Sequence, residues 1–401
     1  VNLLRHSGAC IAATLFSCAA ALGSTESPRT PSFACQVLTA PKGQGSFSVV
    51  AADLDGDKRL DLIASHSNAG TVSSFLNRGS RQFSFVGQWP VGRVPRGLGV
   101  ADFDADGHLD VVVANASSHD LVVLRGNGEG LLAPGAPITA GWAPFQVVVT
   151  QLSEGQDAPV DLIVVDESNW PDASRRGTVT LLRGQGDATF TAGDRMIAGS
   201  YPSNAVLIDL DSDGALDLVV SNWHSANLSL FRRTSAGEFA PAVTVEVPKA
   251  GPIYGMATGD VDGDGIADIA ATDLSGHVHL LRGDGRGGLR FVRSVGTAGA
   301  GTRDVVLADI NGDQLLDLVT ADQHAHAVSL LLGRGGGAFG KPLRMGVGSR
   351  PRSVAVADLD EDGRPDIIVA NQGSDTLSIL FQTEGPSVLC PRIGQDVTTA
   401  Q

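Results

Sequence analysis

Aspartates recur in this chain at a spacing suited to holding a cation. Asp53, Asp55, Asp57 and Asp61 fill positions 1, 3, 5 and 9 of the nonapeptide DLDGDKRLD. The same pattern returns as Asp102, Asp104, Asp106 and Asp110, as Asp209, Asp211, Asp213 and Asp217, and as Asp260, Asp262, Asp264 and Asp268. It appears again as Asp309, Asn311, Asp313 and Asp317, and as Asp358, Asp360, Asp362 and Asp366. Acids so placed in a tight loop converge their oxygens, and position 7 adds a backbone carbonyl: Arg59, His108, Ala215, Ile266, Leu315 and Arg364. Several hard oxygens in a flexible loop describe a calcium site, so about six structural Ca2+ ions are expected. An EF-hand would need a bidentate acid at position 12, where the first two copies have Ala64 and Val113. Asp and Gly also favour plain turns. Turn chemistry alone, however, would not hold four like charges in register against their repulsion, copy after copy.

The copies begin 49 to 51 residues apart except across one larger gap, and a degenerate copy, QLSEGQDAPVD from Gln151 to Asp161, stands within it. That copy has Gln151 and Ser153 in place of acids and two extra residues, so no calcium is expected there. The count is seven units. Each has an apolar segment before the loop, a β-rich segment after it (VVVAN, LVVSN, IIVAN), a further strand, a Gly-rich turn and a last strand. No sustained helical period intervenes, so each unit reads as a four-stranded antiparallel sheet. Seven such units predict an all-β, seven-bladed β-propeller. The seventh lacks a full outer strand, and FACQVLTAP at Phe33–Pro41 is expected to supply it, closing the ring. The ends then lie side by side, and a Cys35–Cys390 disulfide is expected.

From about Phe33 to Cys390, the units resemble the FG-GAP or VCBS repeats of integrin alpha-chain propellers and of many bacterial secreted proteins. The resemblance implies a calcium-bearing propeller. It implies no single activity, because a fold hosts many functions.

A formal charge of −15 argues against nucleic acid or anionic membrane as partner. Twenty-three of the 44 acids fill the ligand positions of the six loops, so much of the acidity is expected to be metal site. Arg5 and His6 before a short apolar run to Leu22 read as a secretory signal over residues 1–23, with a linker at 24–32, the propeller at 33–391 and a tail at 392–401. No transmembrane span is expected. LFSC at Leu15–Cys18 also resembles a lipobox, which would place a lipid anchor on Cys18. The expected location is outside the cell, at the cell surface or in the periplasm, in a bacterial setting.

The function expected is binding or adhesion, with carbohydrate or an extracellular protein as ligand. Trp142, Trp170, Tyr201, Asn222, Trp223, His224 and Tyr254 fall where loops would emerge opposite the calcium hairpins, and loops on a rigid scaffold usually carry binding function. The alternative for these rings is packing between blades or plugging the central channel. GDGRGG at Gly283–Gly288 matches a dinucleotide pattern, but the equivalent turns of other units are similar, so it reads as a hairpin. His277/His279 and His324/His326 lack a third metal ligand in view. GxSxG and HExxH are absent and no enzyme is expected. An extracellular polysaccharide lyase or hydrolase using acids such as Asp166, Asp172, Asp273 and Asp322 is the alternative, and a cell-envelope scaffold is a third.

Overall fold

The computed structural model describes residues 30–39, 44–153, 155, 158–167, 176–235 and 237–384. Its strands form seven antiparallel sheets whose innermost strands contact one another in a closed ring. The inner strands are Ser46–Ala52, Pro95–Ala101, Pro144–Thr150, Pro202–Ile208, Ile253–Gly259, Thr302–Ala308 and Pro351–Ala357, for blades 1 to 7. Each runs into an aspartate loop and returns as the second strand, so the loops share one face of the ring.

Second strands, from Asp61–His66 to Asp366–Asn371, are six residues long, and every residue in them is buried. A strand covered on both faces needs an unbroken apolar run, which is why LIVV and LVV stand there. Seven apolar clusters fill the spaces between blades. Val72, Val100, Val113 and Leu124 pack between blades 1 and 2, and Leu62, Ile368, Leu377 and Phe381 between blades 7 and 1. Each such side chain contributes about 1.5–3 kcal/mol by leaving water. The outer edge of blade 2 is split into Leu132–Pro134 and Ile138–Thr139 because Pro134 and Pro137 lack the N–H that a continuous ladder needs.

Ser32–Thr39 pairs antiparallel with Thr376–Thr383, Ser32 opposite Thr383 and Thr39 opposite Thr376. The N-terminal strand thus completes blade 7 as expected, and Phe33 enters the core between blades 6 and 7. The expected signal segment, Cys18, Cys390 and the tail lie outside the described residues, as do Trp170 and Asp172. No helix among the described residues is long and apolar enough to cross a membrane.

Candidate functional site

The aspartate loops share one local construction. Positions 4 and 6 are left-handed in all six full copies: Gly56 and Lys58, Ala105 and Gly107, Ser212 and Gly214, Gly263 and Gly265, Gly312 and Gln314, Glu361 and Gly363. Where the residue is not glycine this costs about 1–2 kcal/mol. The conformation folds the loop N–H groups onto the position-1 carboxylate, as with Gly56 N–H to Asp53 Oδ1 and Lys58 N–H to Asp53 Oδ2, both 2.8 Å. The position-9 carboxylate ties the loop to the third strand. Asp61 accepts the N–H of Leu54 and of Asn77, at 2.8 Å each, and Asp317 those of Ile310 and Gly333 at 2.9 and 2.7 Å.

Carboxylate oxygens of three acids lie within 4.8 Å of one another in five copies: Asp53/Asp55/Asp57, Asp102/Asp104/Asp110, Asp209/Asp211/Asp213, Asp260/Asp262/Asp268 and Asp358/Asp360/Asp366. At position 3 the two oxygens have different surroundings. The outer oxygen of Asp55 meets Arg78 at 3.2 Å, that of Asp104 meets Arg125 at 3.4 Å and that of Asp360 meets Arg81 at 2.6 Å. The inner oxygen of all three is buried without a hydrogen-bond donor, as is Oδ1 of Asp209. Such an acceptor is costly unless a cation faces it. Burial, reinforced by the neighbouring acids, pushes Asp61, Asp110 and Asp317 up to about 6 and Asp366 to about 7, and raises Asp217 and Asp268. The donor set, all hard oxygen, fits calcium. In the Asp309 copy Asn311 donates its amide to Asp313 at 3.0 Å, leaving three carboxylates.

In the degenerate third copy, Gln151 donates to the carbonyls of Gly155 and Ala158 at 3.1 and 2.7 Å, closing the loop on itself. Asp161 keeps its position-9 bonds to Leu152 and Gly184 N–H but also faces Arg183 at 3.1 Å.

On the opposite face the candidate ligand residues divide. Tyr201, Trp223 and His224 cluster, with ring centroids 5.9 Å apart for Tyr201–Trp223 and 5.7 Å for Tyr201–His224. Asn222 is turned inward, bonded to Gly199 N–H, Asn227 and Ser229. Trp142 stands apart, half exposed and stacked on His119 at 4.7 Å. Tyr254 lies on the inner strand of blade 5 instead of in a loop, at the mouth of the central channel.

That mouth holds residues the sequence reading missed. Every inner strand has a register shift near its start, and the residue there is Phe47, Arg96, Phe145, Ser203, Tyr254, Arg303 or Arg352 in blades 1 to 7. A bulge re-aims its side chain. Here the result is a ring whose members, Arg96 apart, line one end of a channel of about 620 Å3. Arg352 lies over Phe47 at 4.4 Å and donates to the Tyr254 hydroxyl at 2.7 Å, Arg303 lies over Tyr254 at 4.4 Å, and Arg96 over Phe145 at 4.5 Å.

A sequence profile of the FG-GAP-like repeat matches residues 53–113, 209–271, 260–320 and 309–369, together more than half of the chain. The chain belongs to the FG-GAP-like repeat family. A search of curated protein sequences finds no match. Among solved structures, BBS1N in complex with ARL6DN is similar at 13% identity and a TM-score of 0.59, over 88% of this chain and 98% of that one. Virginiamycin B lyase from Staphylococcus aureus, a catalytically inactive form with quinupristin, is similar at 14% and 0.56, over 87% and 99%. The WD40 propeller domain of Doa1 is similar at 13% and 0.57, over 87% and 98%. At these identities the likeness is one of fold.

In this FG-GAP-like propeller the acids considered for glycoside chemistry serve their own blades. Asp166 accepts the N–H of Trp142 and Ala143, and Asp322 accepts the hydroxyls of Thr302 and Thr320 and that of Ser329. Asp273 accepts the N–H of Gly251, Ser275 and His277 and faces His279 at 3.1 Å. The bond from His279 repeats, with imidazole for hydroxyl, the Asn222–Ser229 and Asn371–Ser378 contacts of blades 4 and 7. His326 accepts the N–H of Arg350 at 2.9 Å.

Proposed function

We propose that this FG-GAP-like propeller is a secreted, calcium-stabilised binding module that holds an extracellular carbohydrate or protein on the face opposite its aspartate loops. The observation that carries the reading is the contrast between the two faces. One spends its acids on cation-ready loops, and the other sets aromatic and arginine side chains at the mouth of a channel of about 620 Å3, within the size range of ligand pockets. The position-1, -3, -5 and -9 acids would hold the ions, and calcium would supply the charge compensation that their inner oxygens lack. Sites of this kind in extracellular modules have Kd values of about 10⁻⁴–10⁻³ M, which suits a protein working outside the cell. Binding without catalysis is favoured because Asp166, Asp273 and Asp322 sit in separate blades with their oxygens taken by backbone and hydroxyl donors. Protein recognition has a parallel in BBS1N, whose propeller is seen with ARL6DN.

The test is to present the calcium-loaded protein to a glycan array and an extracellular-protein pull-down, alongside a polysaccharide depolymerisation assay. Binding without new reducing or unsaturated ends supports the module. Release of such ends makes it a lyase or hydrolase, and silence in all three leaves a scaffold of the cell envelope.

A further inference from the structure

Arg303 and Arg352 line the channel of an otherwise acidic protein, with Arg96 beside them against Phe145, and most of their donors are unspent. A guanidinium has five N–H groups. Arg352 gives one to Tyr254, Arg303 gives one to Gln323 at 2.8 Å, and Arg96 pairs with Glu167 at 2.6 Å while its Nε is buried without a partner. Among the described residues, Arg303 and Arg352 have no carboxylate partner. Aromatic faces hold all three guanidiniums, which orients them without using their N–H groups.

The acids nearby offset this charge only in part, Glu167 attracting Arg303 and Asp304 attracting Arg352. Glu167 is committed to Arg96. Asp304, next to Arg303 on the same strand, accepts the N–H of Val305 and of Val354 at 3.0 and 3.1 Å, and burial pushes its carboxyl up. Burial and the adjacent Arg352 lower Arg303 to about 10, so these two guanidiniums repel each other. An oxyanion seated between them would relieve that repulsion and fill the fork geometry that guanidinium offers to carboxylate.

A second feature narrows the ligand. One residue further along the inner strand of blade 4, Asn204 lines the same channel, and its Oδ1 is buried with no donor. A ligand satisfying both brings an anion and a hydrogen-bond donor such as a hydroxyl. We propose that Arg303 and Arg352 form a carboxylate-recognition site for an acidic sugar residue, a uronate, with Asn204 accepting a ring hydroxyl. The proposal rests on the binding-module reading and names the ligand class for its noncatalytic face.

The experiment is calorimetric titration of the full calcium-loaded chain with an oligogalacturonate, a neutral malto-oligosaccharide, sodium sulfate and an oligoglutamate peptide. The oligogalacturonate should bind and the neutral oligosaccharide should not. Arg303→Gln and Arg352→Gln should each weaken binding at least about tenfold, since each removes one partner of a desolvated charge pair. Calcium content and thermal midpoint report whether each variant is folded. If the Gln variants do not fold, Asn204→Ala takes their place, with a loss of affinity again expected. Equal binding of the neutral oligosaccharide, sulfate or oligoglutamate binding as tightly as the uronate, or affinity unmoved by the folded variants would each overturn the site. A different ligand from the array that binds the arginine variants normally would keep the binding module and overturn the uronate site. Cleavage of the oligogalacturonate would instead overturn the binding-only reading.

Discussion

Arg183 Nη1 lies 3.1 Å from Asp161 Oδ2, so in blade 3 a side-chain cation stands where the other blades present only acids. Arg125, Arg232 and Arg282 hold the same place on the third strands of blades 2, 4 and 5, yet they reach outward to the position-3 acids Asp104, Asp211 and Asp262. Loss of the acids at Gln151 and Ser153 thus accompanies an inward turn of the arginine. Arg183→Gln should lower stability by about 1 kcal/mol, a modest figure because the arginine is 34% exposed, and should leave the calcium stoichiometry unchanged. Denaturant unfolding and metal analysis check both. Gain of one calcium equivalent on that substitution would show that the blade 3 loop can hold an ion.

Removing calcium should give the protein an unusual pH dependence. Its position-9 acids are raised, to about 6 at Asp61, Asp110 and Asp317 and about 7 at Asp366, because burial disfavours their charged form. Unfolded carboxyls titrate near 3.9, so the metal-free folded state holds protons more tightly than the unfolded chain. The stability this provides is fully present below about pH 4 and is lost as pH rises through about 7. Asp273 is of opposite sign. Its burial is outweighed by bonds from His279 and from backbone N–H groups, which hold it down at about 2, so its contribution fades only below the pH window of the raised acids. In chelator, thermal midpoints should fall between about pH 5 and pH 7.5, and saturating calcium should reverse the trend. A chelated midpoint that rises over this range contradicts the assignment.

The aromatic residues of the opposite face should separate by role. Tyr201 is buried against Trp223, and Tyr201→Ala should cost about 3 kcal/mol. Trp142 is half exposed, and Trp142→Ala should cost less than about 1 kcal/mol. Urea unfolding distinguishes them, and equal costs would mean that the Tyr201 cluster does not support blade 4.

Ring closure predicts a long-range dependence. Phe33→Ala should remove about 3 kcal/mol although Phe33 lies over 340 residues from its strand partner Gln382. A Cys35–Cys390 bond across the same closure would add about 5 kcal/mol through loop entropy. Mass spectrometry of the unreduced protein reads it directly, and free thiols at both positions would refute the pairing.

The aspartate loops were legible because their information is local: acids at positions 1, 3, 5 and 9, repeated at one period, need no knowledge of the fold. Ring closure was legible for a related reason, since Thr376–Thr383 needed an outer neighbour and Ser32–Thr39 was a strand without a blade. The channel mouth was not. Arg96, Arg303 and Arg352 share a place only through a bulge repeated around the ring, and Phe, Ser, Tyr and Arg alternate there without a pattern of residue type. Aligning the residues just inside PRG, PFQ, PSN, TRD and PRS would have exposed the ring. Aromatic content drew attention to the face opposite the aspartate loops, but it also favoured Asn222, whose amide is spent on Gly199, Asn227 and Ser229.

The most direct test of the account is calcium binding itself. Equilibrium dialysis with metal analysis, paired with thermal unfolding before and after exhaustive chelation, should find about six calcium ions per chain, and the thermal midpoint should rise with calcium concentration as mass action requires. A chain that retains no calcium at millimolar concentration and melts at the same temperature with and without chelator would contradict it.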